Sequence, residues 1–271
     1  MKLTADSGST KTTWLIEGNG SRKLFRTDGL NPYYLTETEM DRTIRRQLLQ
    51  QEGFPNHDAI DTVCFYGAGC TEGKKALVHG VITSIFTSAS NVEVGSDMLG
   101  AAKILLGNAS GIACILGTGA NSCYYDGQQI VANVSPMGYI LGDEGSGAVL
   151  GKTFVNLLYK GGHDDTVTVF SSETGLTQAD IIQKVYREAT PNRFLASLAP
   201  FIKRHVKEPW IEEMVIECFR LFFRRNIYHY GVKELPCSFV GSIAYYFEKE
   251  LRAAATLEGY KVGKIIKEPL N

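Results

Sequence analysis

The run Leu3-Thr4-Ala5-Asp6-Ser7-Gly8-Ser9-Thr10-Lys11-Thr12-Thr13-Trp14-Leu15-Ile16 has a plan that recurs further on, in Ile112-Ala113-Cys114-Ile115-Leu116-Gly117-Thr118-Gly119-Ala120-Asn121-Ser122-Cys123-Tyr124-Tyr125. In both, a β-prone run enters a turn of small and hydroxyl residues and a second β-prone run leaves at once, the pattern of a tight hairpin. A third β-prone run follows each time, Lys23 to Thr27 and Gln129 to Ala132. Alternating strand and helix signals come after. This is the signature of an internal duplication, and it predicts an α/β fold of two related lobes. The glycine-bounded stretch Gly107 to Gly111 marks the boundary, giving lobes 1–107 and 108–271.

The hairpin tips carry the first chemical signal. Backbone N–H groups of Ser7 to Thr10 in a small-residue turn, with hydroxyls and Lys11 beside them, suit an anionic, oxygen-rich ligand. Asp6 would repel phosphate unless a cation stood between them, so the set points to a nucleotide phosphate with Mg²⁺. Asp-Ser-Gly is also ordinary hairpin chemistry, and only the second hairpin turns the balance, since two such tips can clamp a nucleotide from both sides.

Composition removes several other classes. Lys and Arg total 28 against 29 Asp and Glu, without a long basic run, so nucleic acid and anionic membrane are excluded as partners. No apolar segment approaches the roughly 18 residues of a membrane span, and Asp6 interrupts any secretory leader, which predicts a cytoplasmic protein. The six cysteines, Cys64, Cys70, Cys114, Cys123, Cys218 and Cys237, are scattered and mostly lie in apolar runs. They are expected to be reduced and buried rather than paired in a zinc or redox site.

Between the hairpins, Asp28-Gly29-Leu30-Asn31-Pro32 is a loop signal with Asn31 at its exit, and an Asn before Pro is also a good turn residue. Thr36 to Gln51 is expected to be an amphipathic helix through Met40, Ile44 and Leu48. The segment Gly67 to Lys74 fails the P-loop spacing, because Ala68 stands where a glycine is needed, and it fails the dinucleotide fingerprint as well. Asp97 falls between a strand, Asn91 to Val94, and a helix, Met98 to Leu106. It reads either as a helix cap or as a carboxylate at the ligand end of a strand. Gly142-Asp143-Glu144-Gly145-Ser146 enters a helix through Tyr159; the acids suit a helix N-terminus, and the glycines suit close approach to a ligand. Helical signals dominate from about 164 to 231, an insertion in the second lobe. The strand Ser238 to Val240 then meets Gly241-Ser242-Ile243-Ala244, and Ile265-Ile266 reads as a last strand.

With four motifs in order, the sequence resembles the actin, sugar kinase and heat-shock chaperone ATPase superfamily. Within it the chain is similar to the N-acetylglucosamine kinases grouped with the BadF/BadG/BcrA/BcrD ATPases. The resemblance implies a duplicated ribonuclease H-like (actin-like ATPase) fold, with two lobes around a cleft that takes ATP, Mg²⁺ and a sugar. It implies that Asp6 holds Mg²⁺ through water, and that Ser9, Thr10 and Thr118 donate to the β- and γ-phosphates. Lys11, Gly117 and Gly119 belong to the same nucleotide set, and Gly241 and Ser242 lie against the adenosine. Asn31 and Asp143 are implied to bind sugar hydroxyls, and Asp97 to take the proton of the attacking 6-hydroxyl. A small-molecule sugar is the implied partner, and a homodimer is compatible with it. Ser7 stands where relatives often have glycine.

Two other uses of this scaffold stay open. An activator of a 2-hydroxyacyl-CoA dehydratase would need cysteines for a cluster shared between subunits, for which Cys70, after a glycine turn, is the one to examine. A non-catalytic sugar sensor would be expected to lose Asp97 or the second phosphate hairpin, and both are present.

Overall fold

Among the described residues, ten strands fall into two five-stranded sheets that share one connection plan. The computed structural model describes residues 1–8, 11–18 and 20–270, so Ser9 and Thr10, assigned above to phosphate binding, lie outside the described residues. The chain divides into two units, Met1–Ile104 joined by Pro269 and Leu270, and Leu105–Glu268.

In the first unit the strands are β1 (Lys2–Ser7), β2 (Lys11–Gly18), β3 (Ser21–Asp28), β4 (Thr62–Gly67) and β5 (Asn91–Ser96). They lie in the order β3-β2-β1-β4-β5, with β1, β2 and β3 an antiparallel meander and β4 and β5 parallel to β1. The register puts Ala5 beside Trp14 and Phe65, and Trp14 beside Phe25. That row joins Met40, Ile44, Leu48, Val78 and Ile82 in one core. Side chains alternate across a strand, so the next row, Asp6, Tyr66 and Gly95, faces the other way. The helix Asp97–Leu106 is seated there by two glycines. A Cβ on Gly95 would lie 3.1 Å from the Tyr66 ring, and one on Gly100 would lie 2.6 Å from Tyr66 Cβ.

The helix expected over 36–51 begins with a capping box from Thr36 and Glu39, runs Glu37–Thr43, and widens to a π turn over Ile44–Leu48. Residues spaced by four drift about 40° per step on a helix of 3.6 residues per turn. The wider turn takes up that drift, and Met40, Ile44 and Leu48 are all fully buried.

In the second unit β6 (Gly111–Leu116), β7 (Ala120–Tyr125), β8 (Ile130–Ala132), β9 (Cys237–Val240) and β10 (Val262–Ile266) lie in the order β10-β9-β6-β7-β8. Read from its first strand this is the plan of the first sheet, with β6 in the place of β1. The duplication expected from the hairpins is present. The helices Gly138–Leu141 and Gly147–Lys160 follow β8, and the helical segment before β9 is then made of Asp164–Thr174, Gln178–Arg187, Pro191–Ala196, Ala199–Arg204, Pro209–Arg225 and a 3-10 turn, Ile227–Tyr230. The helix Gln178–Arg187 starts on the Thr177 and Asp180 capping box. The helix Pro209–Arg225 buries Met214, Cys218 and Phe222 together with Phe219 and Phe223, whereas Leu221 is only half-buried. Burying rings of this size stabilises by roughly 1.5–3 kcal/mol each. All six cysteines are free and buried. Among the described residues no helix is long and apolar enough to cross a membrane.

Candidate functional site

The parallel strands β1, β4 and β5 end side by side in the first unit, which brings Ser7, Gly67 and Ser96 into one row and Asp6, Tyr66 and Gly95 into the row before it. The turns leaving those ends carry the candidate residues. Asp6 is half-buried and Lys11 exposed. Ser7 is buried and its hydroxyl is used internally. It pairs with the Thr12 hydroxyl at 2.8 Å and accepts from the Leu30 N–H at 3.1 Å, while the Ser7 carbonyl accepts from the Ala68 N–H at 2.8 Å. One serine thus ties the hairpin to the Asn31 loop and to the turn after β4.

Asn31 is buried and its Oδ1 accepts from the Tyr33 N–H at 2.9 Å, the bond expected of a turn asparagine. It also presses on the β4 turn. Gly69 has φ +81°, and a Cβ there would stand 2.4 Å from Asn31 Oδ1, so only glycine lets the two loops meet. Cys70 follows, buried, its thiol pushed up to about 12 by burial first and by the charge of Asp97 second. A neutral, enclosed thiol is a poor ligand for an intersubunit cluster.

Asp97 opens the helix Asp97–Leu106, but it is not the cap. Ser96 fills that role, its hydroxyl accepting from the Leu99 N–H at 3.2 Å. Asp97 Oδ1 accepts from the Met98 N–H at 2.9 Å. Burial raises the Asp97 carboxyl above its ordinary value, against the opposing pull of the Met98 N–H and of its own N–H. An unperturbed aspartate would ionise near 3.9, so this one is tuned in the direction that suits a proton acceptor.

In the second unit the turn between β6 and β7 holds Gly117, Thr118 and Gly119. Its carbonyls face the helix Gly147–Lys160: Gly117 O accepts from the Gly147 N–H at 2.8 Å and Thr118 O from the Ala148 N–H at 3.1 Å. Ser146 caps the same helix through the Val149 N–H. The first amides of this helix are therefore spent on protein, and the helix acts as a mount for the turn.

Asp143 lies on that turn. It has φ +54°, its carboxylate accepts from the Ala120 N–H, and a Cβ on Gly119 would be 3.1 Å from its Oδ2. Burial raises its carboxyl, with the neighbouring Glu144 adding to the rise. The two adjacent acids have separate work, since Glu144 pairs with Arg225 at 3.1 Å and accepts from Asn226 Nδ2 at 3.3 Å. The loop after β9 also reaches the turn. Gly241, at φ +128°, would set a Cβ 2.2 Å from Leu116 O, so the close approach of β6 requires glycine.

The Gly117–Thr118 turn and Ser242 border one cavity of about 740 Å³. Its remaining wall includes residues that no motif pointed to, among them Arg193, Ser197, Lys203 and Arg204 from the helical segment, and Tyr246 and Phe247 beyond Ser242. They sit in no motif. The only forewarning is the alternation of apolar and basic residues on short helices.

No protein-family model matches the chain, and neither does any curated protein. Solved structures do. The candidate N-acetylglucosamine kinase of Porphyromonas gingivalis is 44% identical, covers 99% of this chain and 95% of its own, and superposes with a TM-score of 0.92. The candidate N-acetylglucosamine kinase of Chromobacterium violaceum, at 17% identity over 97% of this chain and 94% of its own, has a TM-score of 0.74. A ROK family glucokinase of Streptomyces griseus, solved with glucose and AMPPNP, shares the fold at 13% identity over 98% of this chain and 94% of its own, with a TM-score of 0.58. By its likeness to the Porphyromonas protein over nearly its whole length, this chain belongs to the N-acetylglucosamine kinase-like family grouped with the BadF/BadG/BcrA/BcrD ATPases, within the actin, sugar kinase and heat-shock chaperone ATPase superfamily.

Proposed function

We propose that the protein is a sugar kinase that transfers the γ-phosphoryl group of ATP to the 6-hydroxyl of an amino sugar, N-acetylglucosamine. The observation that carries this reading is the cavity of about 740 Å³ bordered by both the Gly117–Thr118 turn and Ser242, a volume in the range of small-molecule sites. ATP fits it with its adenosine against Gly241 and Ser242 and its phosphates at Gly117, Thr118 and Gly119. Ser9, Thr10 and Lys11 supply the phosphate donors of the first hairpin. Asn31 and Asp143 hold sugar hydroxyls. Asp97 accepts the 6-hydroxyl proton as that oxygen bonds to the γ-phosphorus and the bond from phosphorus to the ADP oxygen breaks.

Asp6 is a single hard-oxygen donor at the end of β1, and among the described residues no group of three or more His, Cys, Asp or Glu is placed to hold a metal. That donor set fits Mg²⁺ held largely by waters and phosphate oxygens. The ion neutralises phosphate charge when bound. The six free cysteines suit a reducing cytoplasm, and a homodimer in solution is part of the same reading.

A coupled ADP-release assay with ATP and Mg²⁺ tests the proposal across N-acetylglucosamine, glucosamine and glucose. Saturable ADP release that is highest with N-acetylglucosamine is expected. ADP release that proceeds at one rate with or without sugar would overturn it in favour of a plain ATPase.

A further inference from the structure

Three cations, Arg193, Lys203 and Arg204, line the cavity of the second unit. Two are engaged by protein carboxylates. Lys203 Nζ lies 3.0 and 3.2 Å from the two oxygens of the buried Glu250 and over the Phe247 ring, and Arg204 pairs with Glu173 at 2.7 Å. Arg193 differs. It is exposed at the border of the cavity, and among the described residues its guanidinium has no hydrogen-bond or ion-pair partner.

The packing of its helix fixes which end of the cavity Arg193 serves. Gly151 lacks a Cβ where Leu195 O approaches, at 2.0 Å from the position a Cβ would take. One turn earlier, a Cβ on Gly147 would lie 3.1 Å from Ala196 Cβ and 3.2 Å from Gly117 O. Two bare helix positions thus let the helix Pro191–Ala196 settle on the helix Gly147–Lys160, with Ala196 close to the Gly117 carbonyl. Arg193 precedes Ala196 by three residues and shares its face, and both line the cavity. Lys203, by contrast, sits over Phe247. Arg193 therefore stands on the helix that Gly147 and Gly151 seat beside the Gly117–Thr118 turn.

Resting on the nucleotide reading above, we infer that Arg193 binds a phosphate of the nucleotide in this cavity. A guanidinium presents a planar fork of donors that matches phosphate oxygens, and the absence of a protein carboxylate leaves its charge for the ligand. The helical segment then supplies part of the phosphate site and is more than an appendage on the second unit.

Calorimetric titration of adenosine, ADP and AMPPNP, with Mg²⁺, into wild type, Arg193→Ala and Arg193→Lys tests this. A hydrogen bond to a charged group converts to a loss of about 10- to 100-fold. Arg193→Ala should lose that much affinity for ADP or AMPPNP, keep wild-type affinity for adenosine, and melt at the wild-type temperature, with Arg193→Lys between the two. Unchanged affinity for both phosphorylated ligands would overturn the inference, and so would an equal loss for adenosine, which would mark Arg193 as a wall residue. A wild type that binds none of the three overturns the nucleotide reading itself, and the inference with it.

Discussion

At Asp97 two demands compete, and the geometry says how they are met. The helix that Asp97 opens is capped by Ser96, which frees the Asp97 carboxylate from a structural task and leaves it with the backbone N–H groups of Met98 and of Asp97 itself and a desolvated setting. Burial disfavours its charged form, so its folded-state affinity for a proton is higher than in the unfolded chain. Such a group stabilises the fold at low pH and loses that contribution as pH rises through its raised pKa. Asp97→Asn is therefore expected to melt higher than wild type at pH 8, with the difference vanishing as pH falls below the ordinary carboxylate range. Turnover should drop about 10²- to 10⁴-fold while sugar binding survives, because an amide still meets a hydroxyl but takes no proton. Thermal scans against pH and steady-state kinetics on the same variant check this. Near-wild-type turnover in a folded Asp97→Asn protein would remove Asp97 from the mechanism. The place of Asp97 at a strand end was legible from Asn91 to Ser96 and the helix after it. The identity of the cap was not, since Ser96 and Asp97 are both good capping residues and only coordinates separate them.

The elements that carry the site are held by glycines whose need is invisible in composition. Gly241 combines φ +128° with a carbonyl 2.2 Å from where its Cβ would be. Gly241→Ala must strain its backbone and push the loop off β6. Strain of that kind costs of the order of 1–3 kcal/mol. A lower urea midpoint and clearly weaker AMPPNP binding are expected, whereas a variant with wild-type values for both would show that the loop's contact with Leu116 is dispensable. Both meanders were readable because each pairs β-prone runs with turn residues that permit nothing else nearby. The π turn at Ile44–Leu48 was not, because a spacing of four reads as an ordinary helix. Nor was the wall made by Pro191–Ala196 and Ala199–Arg204, whose short helices take their position from Gly147 and Gly151 on another element.

For the whole molecule, the informative fact is that one chain folds one plan twice, β3-β2-β1-β4-β5 and β10-β9-β6-β7-β8, with a stretch of small residues in the sequence between the first two strands of each. The repeated hairpin sequence announced this, and the sheet orders bear it out. The candidate phosphate turns could be read because their motif recurs, whereas contacts that would read an acetamide leave no spacing in the sequence. The central claim is that the 6-hydroxyl of an amino sugar receives the γ-phosphoryl group of ATP. Phosphorus and carbon NMR of a reaction containing the protein, ATP, Mg²⁺ and N-acetylglucosamine tests it most directly. A phosphate ester coupled to carbon 6, formed in step with ADP, is the predicted result; inorganic phosphate as the sole product, or an ester at another carbon, would contradict the account.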